Sequence, residues 1–507
     1  MVTRTVGVLL RGLEGRRVEV EVDVGGGFDT TITLVGLASA SVKESRQRIE
    51  AAMRNSELAL PMRKVTINLA PAQMRKEQPG LDLPIGVGIA LAAESLGAPE
   101  GAAFLGELAL DGSIRHVPGV LVAARWARER HLRRLYVPAQ DAEEAALVED
   151  LEIIPCASLR QVVAHLRGDE PIAPQPRTVP HKEEDAIPDL DLAEVQGQDA
   201  ARRALEVAAA GSHHLLMTGP PGAGKTMLAR ALPGILPPLD LEQAMLVPQV
   251  RSVLGELGHW RNRNRSPIDW RRPFCAPHHS ISGAGLVGGG SPIAQPGEVT
   301  RACHGVLFLD ELAECAPRTL QLLRQPLEHG DVRLTRAGGS VHYPARFQLV
   351  AATNPCPCGY LGDAERPCHC SAAAIDRYQH ALSGPLLDRI DLQVTVPRLP
   401  LAALQGSGGE SSASVRQRVI GARDLQGRRQ RKCNAELTAK ELRLFAPLDA
   451  GARASLERWA DAQGLTARGY HRAWRVARTL ADLEGGVGIA ERHVLEALGY
   501  RLAERAA

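Results

Sequence analysis

The feature that most constrains this chain is an apolar run, His214–Met217, that leads through Thr218 into Gly219-Pro-Pro-Gly-Ala-Gly-Lys-Thr226. A buried strand, a glycine-rich turn and a following helix form the setting in which a phosphate loop works. Backbone amides of Gly219, Pro221's neighbour Gly222, Ala223 and Gly224 can converge on phosphates, with Pro220 and Pro221 stiffening the entry. Lys225 places a cation beside the transferring group, and Thr226 offers a hydroxyl to magnesium. ATP and Mg2+ are therefore the expected ligands. Two further apolar runs, Val306–Leu309 and Gln348–Ala352, read as buried parallel strands of one α/β core.

The first of these runs ends in Asp310-Glu311, where one carboxylate can hold magnesium and the next can activate water. The run Phe347–Thr353 delivers Asn354 to the same edge. An amide there can orient the attacking water; a plain turn asparagine is the other reading.

At 507 residues the chain exceeds one ordinary core and suggests roughly three domains. Its longest apolar stretch, Leu83–Ala93, is shorter than the ~20 residues a membrane span needs. Val6–Leu10 is too brief for an export signal, so a cytoplasmic protein is expected. Net charge is only +2, which requires any nucleic-acid contact to come from a local basic surface. Aromatic residues are 3%, too few for a platform that stacks unpaired bases.

Four regions follow: 1–168, a linker at 169–190, a core at 191–400 and a helical lid at 401–507. In the first, Arg17–Val24 and Thr31–Val35 read as strands joined by a hairpin turn at Gly25, Gly26 and Gly27. Ser41 and Glu44 have capping-box spacing, and Lys64–Leu69 resumes strand character. Prolines 171, 174, 176, 180 and 188 alternate with charge as in an extended linker. Gly406–Ser414 reads as a loose connector into the lid.

Cys356, Cys358, Cys368 and Cys370 crowd into one short loop. Four thiolates can close a tetrahedral, structural zinc site, with His369 a possible substitute ligand; a set of reduced free thiols is the alternative. Cys156, Cys275, Cys303, Cys315 and Cys433 have no ligand spacing and read as packed small side chains. His278 and His279 are assigned a structural or loop role, since adjacent histidines rarely share an ion.

Taken together, the phosphate loop, Arg-Pro-Phe-Cys-Ala-Pro-His-His-Ser280, Leu-Asp-Glu-Leu312, Thr-Asn-Pro-Cys-Pro-Cys-Gly359, Leu-Ser-Gly-Pro-Leu-Leu-Asp-Arg-Ile-Asp391 and Ala-Arg-Thr-Leu-Ala-Asp-Leu483 resemble the magnesium-chelatase-like AAA+ ATPases, ComM/YifB-like group. The resemblance implies a P-loop core with a parallel sheet, a C-terminal helical lid, and a ring, hexameric by family habit, with nucleotide held between subunits. It places Arg389 as the finger on a neighbour's γ-phosphate, against a surface salt bridge with Asp388 or Asp391. It also places Arg468 as a second sensor on the phosphates of its own subunit, with Arg472 and Arg475 as alternatives.

Leu105–Gly112 and Leu135–Pro138 resemble the proteolytic domain of Lon, so residues 1–168 are expected to be a Lon-protease-like α+β domain. The Ser/Lys dyad is missing: Gly80-Leu-Asp-Leu-Pro84 stands where the serine belongs, and no lysine occurs between Lys76 and Lys182. A docking or ring-organising module is the expected role.

Two basic segments are candidate DNA contacts. One is the insertion carrying Arg251, Arg261, Arg263, Arg265, Arg271 and Arg272. The other is Val332–His342, read as a hairpin turning at Gly338-Gly339, which the resemblance implies points Arg333 and Arg336 into the ring pore; solvated charge is the bland reading for both. The resemblance implies branch migration of single-stranded and branched DNA in homologous recombination and natural transformation, with recombination proteins as partners. The rivals are a magnesium-chelatase motor for porphyrin metallation, an ATP-dependent protease, and a nucleotide-switched zinc scaffold.

Overall fold

The computed structural model describes residues 2–26, 31–35, 40–72, 79–179, 190–257, 268–291, 293–336, 339–363, 365–381, 384–400, 409–463 and 466–501. Among them no helix is long and apolar enough to cross a membrane.

The first region is built on strands β1 (Val2–Arg11), β2 (Glu14–Val24), β3 (Thr31–Val35), β4 (Lys64–Ala70), β5 (Ala102–Phe104), β6 (Arg134–Pro138) and β7 (Glu152–Cys156). They form one mixed sheet ordered β3-β4-β2-β1-β5-β6-β7. The glycine hairpin expected between β2 and β3 does not form. β2 pairs antiparallel with β1 and with β4, while β3 lies outside β4 and runs parallel to it. Valines 18, 20 and 22 are fully buried on one face of β2, and Gly25 donates to Lys64 O at 2.9 Å, at the start of β4. Ser41 is also misplaced by the capping reading: helix α1 (Ala40–Asn55) has already begun there.

The apolar stretch at Leu83 forms helix α2 (Asp82–Ala93), buried on all sides between sheet and neighbouring helices. Its first residue, Asp82, is fully buried and receives Arg48 Nε at 2.9 Å. Burial pushes this carboxyl's pKa up, and the Arg48 contact opposes that shift. The proline-rich segment is extended but not loose, since Gln175 N bonds Ile153 O at 2.8 Å and Thr178 N bonds Ala146 O at 3.0 Å. Residues 180–189 lie outside the described residues.

The second sheet carries β8 (Leu215–Thr218), β9 (Phe274–Cys275), β10 (Val306–Leu309), β13 (Gln348–Thr353) and β14 (Leu392–Thr395), with hairpin strands β11 (Asp331–Arg336) and β12 (Gly339–Pro344) forming a separate ribbon. The sheet order is β9-β10-β13-β8-β14, and every pairing is parallel. All strands therefore present their carboxyl ends to one edge and their amino ends to the other. The last pair of the ribbon is Arg336↔Gly339, so Gly339 belongs to a strand, while Gly338 lies outside the described residues.

Helix α6 (Asp199–Gly211) and the phosphate-loop helix α7 (Lys225–Ile235) share a core with the helical C-terminal region, whose longest members are α9 (Ser412–Gln430) and α12 (Ala467–Leu483). Ser411 caps α9 by accepting from Ser414 N, so residues 412–414 of the expected connector are helical. The two halves of the molecule meet twice. Helix α8 (Leu241–Val253) joins the core of the first region, and Leu13 at the β1–β2 turn packs into the core behind the β11–β12 ribbon.

Candidate nucleotide site

The carboxyl edge of the parallel sheet gathers the phosphate-loop residues. Gly219 passes so close to Val396 that a Cβ would stand 2.1 Å from its carbonyl oxygen, and Gly224, at φ +90°, caps α7 in a conformation only glycine adopts cheaply. Lys225 Nζ donates to Gly219 O at 2.6 Å, Pro220 O at 2.9 Å and Asn354 Oδ1 at 3.2 Å. Burial lowers the pKa of this ammonium, and the nearby Asp310 and Glu311 carboxylates oppose the shift. Thr226 Oγ1 donates to Asp310 Oδ2 at 2.9 Å, bringing together the hydroxyl and carboxylate that suit a hard cation.

Glu311 holds a left-handed backbone at φ +49°, a costly conformation for a side-chain-bearing residue, and its amide donates to Asp310 Oδ1 at 2.9 Å. Its carboxylate meets His279 Nδ1 at 2.7 Å. His279 belongs to the loop after β9, the strand beside β10, and His278 stacks on it at 4.0 Å between ring centroids. The structural assignment of His279 therefore missed a direct contact with the site. No sequence signal carried it, because the adjacency of β9 to the acid-bearing strand, which brings both loops to one edge, exists only in the folded sheet.

The arginines lie at the other edge. A cavity of about 870 Å3 opens where the strands begin, and Arg389, Arg468, Arg472, Arg475, Asp388 and Glu328 contribute to its lining. Four strand residues separate the edges by about 13 Å. Arg468, expected on the phosphates of its own subunit, lines this cavity at the edge opposite its own phosphate loop. Helix α12 docks behind the sheet, which side no periodicity could reveal. Arg472 donates to Leu387 O and Ile390 O, and Arg475 to Leu437 O, so both alternatives are engaged internally while Arg468 is exposed. Arg389 pairs with Glu328 rather than with Asp388 or Asp391; Asp388 pairs with Arg472 and Asp391 with His213.

Family models describe the same architecture in three segments. "Magnesium chelatase, subunit ChlI" matches residues 191–404, "Subunit ChlI of Mg-chelatase" residues 20–141, and "Magnesium chelatase, subunit ChlI C-terminal" residues 409–501. Competence protein ComM of Haemophilus influenzae is 42% identical over 501 residues, covering 97% of this chain and 95% of that protein. The chain belongs to the magnesium-chelatase-like AAA+ family, ComM/YifB-like group. YifB of Escherichia coli is 40% identical over 506 residues, covering 97% of this chain and 96% of its own. The magnesium-chelatase 67 kDa subunit of Heliobacterium mobile is 31% identical over 198 residues, 34% of this chain and 29% of that one.

Within this family member the cysteine loop adjoins the nucleotide site, since Gly359, at φ +84°, would put a Cβ 2.5 Å from Pro221. The sulfurs of Cys356, Cys358, Cys368 and Cys370 all lie within 4.8 Å of one another, with separations of 3.4, 3.7 and 3.6 Å among the first three. A tetrahedral zinc with bonds of about 2.3 Å sets its sulfurs about 3.8 Å apart, so the four residues fit that ion. His369 is exposed and is not part of the group.

Of the basic segments, Arg333 and Arg336 are exposed on β11, and the β1–β2 turn presses on the paired strand: a Cβ at Gly12 would meet Val341 at 2.4 Å and Tyr343 at 3.1 Å. The insertion is less available than its composition suggests. Arg271 chelates Asp269 at 3.0 Å, and the half-buried Arg272 donates to Pro237 O and His304 O at 2.6 Å each. Arg261, Arg263 and Arg265 lie outside the described residues.

Proposed function

We propose that this chain is the subunit of a ring-forming, hexameric ATPase that moves along single-stranded or branched DNA and drives branch migration during recombination and natural transformation in the cytoplasm. The observation that carries the reading is the division of polar groups between the two edges of one sheet. Lys225, Thr226, Asp310, Glu311 and Asn354 meet at the carboxyl edge, while exposed Arg468 and the Arg389 guanidinium stand at the amino edge. Stacking one copy on the next brings the two sets together, which a single copy cannot do.

In this arrangement the amides of 219–224 and Lys225 bind the triphosphate, and Thr226 with Asp310 holds Mg2+. Bound magnesium supplies charge neutralisation at the β- and γ-phosphates. Glu311 accepts the proton of the attacking water, His279 governs where that carboxylate rests, and Asn354 orients the water. Arg389 and Arg468 of the adjacent subunit spread positive charge over the departing phosphate. The four cysteines hold a structural Zn2+ that stiffens the loop leaning on Pro221. Arg333 and Arg336 grip DNA phosphates without regard to sequence, and Arg263 and Arg265 are further candidate DNA contacts. Residues 1–168 act as a Lon-protease-like docking module without peptidase chemistry, in keeping with the buried Asp82–Arg48 pair where a nucleophile would stand.

Full-length kinship with a competence protein supports the DNA reading, whereas the chelatase subunit matches only a third of the chain. The family models' descriptions favour a second reading, a motor for metal insertion into a porphyrin. ATP turnover and strand separation on linear and four-way-junction DNA, with Glu311→Gln as control, divide the two. A motor on DNA turns over faster with junction DNA and separates its strands; an unchanged rate with intact junctions abandons the reading. Replacing Arg333 and Arg336 by alanine lowers the salt slope of single-strand binding by about 1.4 in log units.

A further inference from the structure

The segment that carries Arg389 is held from one side by a single helix. Arg472, only 4% exposed in α12, donates Nη1 to Leu387 O at 3.1 Å and to Ile390 O at 3.0 Å, and Nη2 to Asp388 Oδ1 at 3.3 Å. These three acceptors bracket Arg389. The next residue in the segment, Asp391, receives His213 Nδ1 at 3.0 Å, and the other ring nitrogen of His213 meets Thr479 Oγ1, two turns further along α12, at 2.8 Å. The helix therefore grips the segment at both ends. Arg468 sits one turn before Arg472 on the same helix.

A guanidinium suits this task because its planar fork can satisfy two carbonyls and a carboxylate in fixed directions, whereas an ammonium on a flexible stem cannot. Removing it leaves two carbonyls in a buried position without their charged donor, and the segment relaxes. Across the cavity Arg389 meets Glu328, whose side chain is 42% exposed. The backbone on either side of Arg389 is bonded to α12 through Leu387 O and Ile390 O.

We infer that Arg472 is a positioning residue for the known ATPase chemistry of the family: it locks the Arg389 segment to the lid helix, so that Arg389 and Arg468 approach a neighbour's triphosphate as one rigid pair. This rests on the reading of Arg389 as a group acting across the subunit contact. Lid movement then carries both arginines together, and ATP hydrolysis in one subunit depends on the lid of the next.

The test uses full-length protein with Arg472→Gln, Arg472→Lys, Asp388→Asn and Arg389→Ala, measuring kcat, affinity for a fluorescent ATP analogue, thermal melting, and turnover after mixing each variant with Lys225→Ala subunits. Arg472→Gln is expected to lower kcat about 10²-fold, the scale of a displaced reactive group, with ATP affinity within about twofold. Mixing with Lys225→Ala restores turnover, because the partner brings an intact segment to the variant's intact phosphate loop. Arg472→Lys, with the charge but not the fork, loses about tenfold, and Asp388→Asn, at a half-exposed side chain, about threefold. Unchanged kcat in Arg472→Gln beside a dead Arg389→Ala overturns the inference. So does a joint loss of ATP affinity and kcat that mixing does not repair, since that is the mark of general structural damage. If Arg472→Gln does not fold, wild-type kcat in both Arg472→Lys and Asp388→Asn overturns it. Full activity in Arg389→Ala instead removes the reading underneath, whatever the Arg472 variants do.

Discussion

The two edges of the parallel sheet are built from the same strands yet differ in almost every chemical respect. At the carboxyl edge, polar side chains bond one another at 2.7–3.2 Å: Lys225 to Asn354, Thr226 to Asp310, and Glu311 to His279. At the amino edge, long guanidinium side chains from the lid and from the β14 approach line an open cavity, and Arg472 and Arg475 among them bond backbone carbonyls. The first edge gathers the phosphate-loop lysine and the acids but none of these arginines; the second gathers the arginines away from the phosphate loop. A parallel sheet imposes this division because every strand points the same way, so whatever follows the strands and whatever precedes them cannot meet within one chain.

The sharpest way to break this comparison is Arg389→Ala. If the edges complete each other between copies, kcat falls about 10³-fold, and mixing with Lys225→Ala subunits recovers it. Retained turnover in the variant would return the whole reaction to a single edge. Glu311→Gln sharpens the other side, with kcat expected to fall about 10²-fold or more while the fluorescent ATP analogue still binds.

Smaller effects test what supports each edge. Stripping metal with a thiol-competing chelator should release one zinc per chain and lower Tm by roughly 4–8 °C, a loss of about 2 kcal/mol for a domain of this size. Absence of zinc in freshly purified protein assigns the cysteines as free thiols. The smallest effect belongs to Glu144, buried where the first region meets α8 and bonded to Ser252 and to Leu121 N. Burial pushes its carboxyl up to about 7 from the ordinary 4.5. A folded-state value above the unfolded one means the folded chain binds the extra proton, so stability falls as pH rises from about 4.5 to 7. Glu144→Gln should flatten that slope in Tm against pH and leave ATP turnover unchanged.

What could be read without coordinates follows from locality. Strand, glycine turn and lysine are contiguous, so the meeting of the phosphate loop with both acids at one edge was legible, and the clustered cysteines predicted their own proximity. Pairings across long separations were not. Nothing in Arg17–Val24 says that β4, forty residues away, inserts between β2 and β3. The heptad-like pattern of α12 shows that Arg472, Arg475 and Arg478 face inward only once its packing partners are known, and it says nothing of which sheet edge the helix approaches. His279 was missed because its partner Glu311 lies on a neighbouring strand, a relation that exists only in the folded sheet.

The close seating of Gly12 against Val341 and Tyr343 has a mechanical corollary. With no side chain as a cushion, the tip of the amino-terminal sheet rides directly on the arginine-bearing ribbon, so any shift of one is felt by the other. A bulkier residue at position 12 would wedge the two apart and loosen the joint between the leading region and the parallel-sheet core.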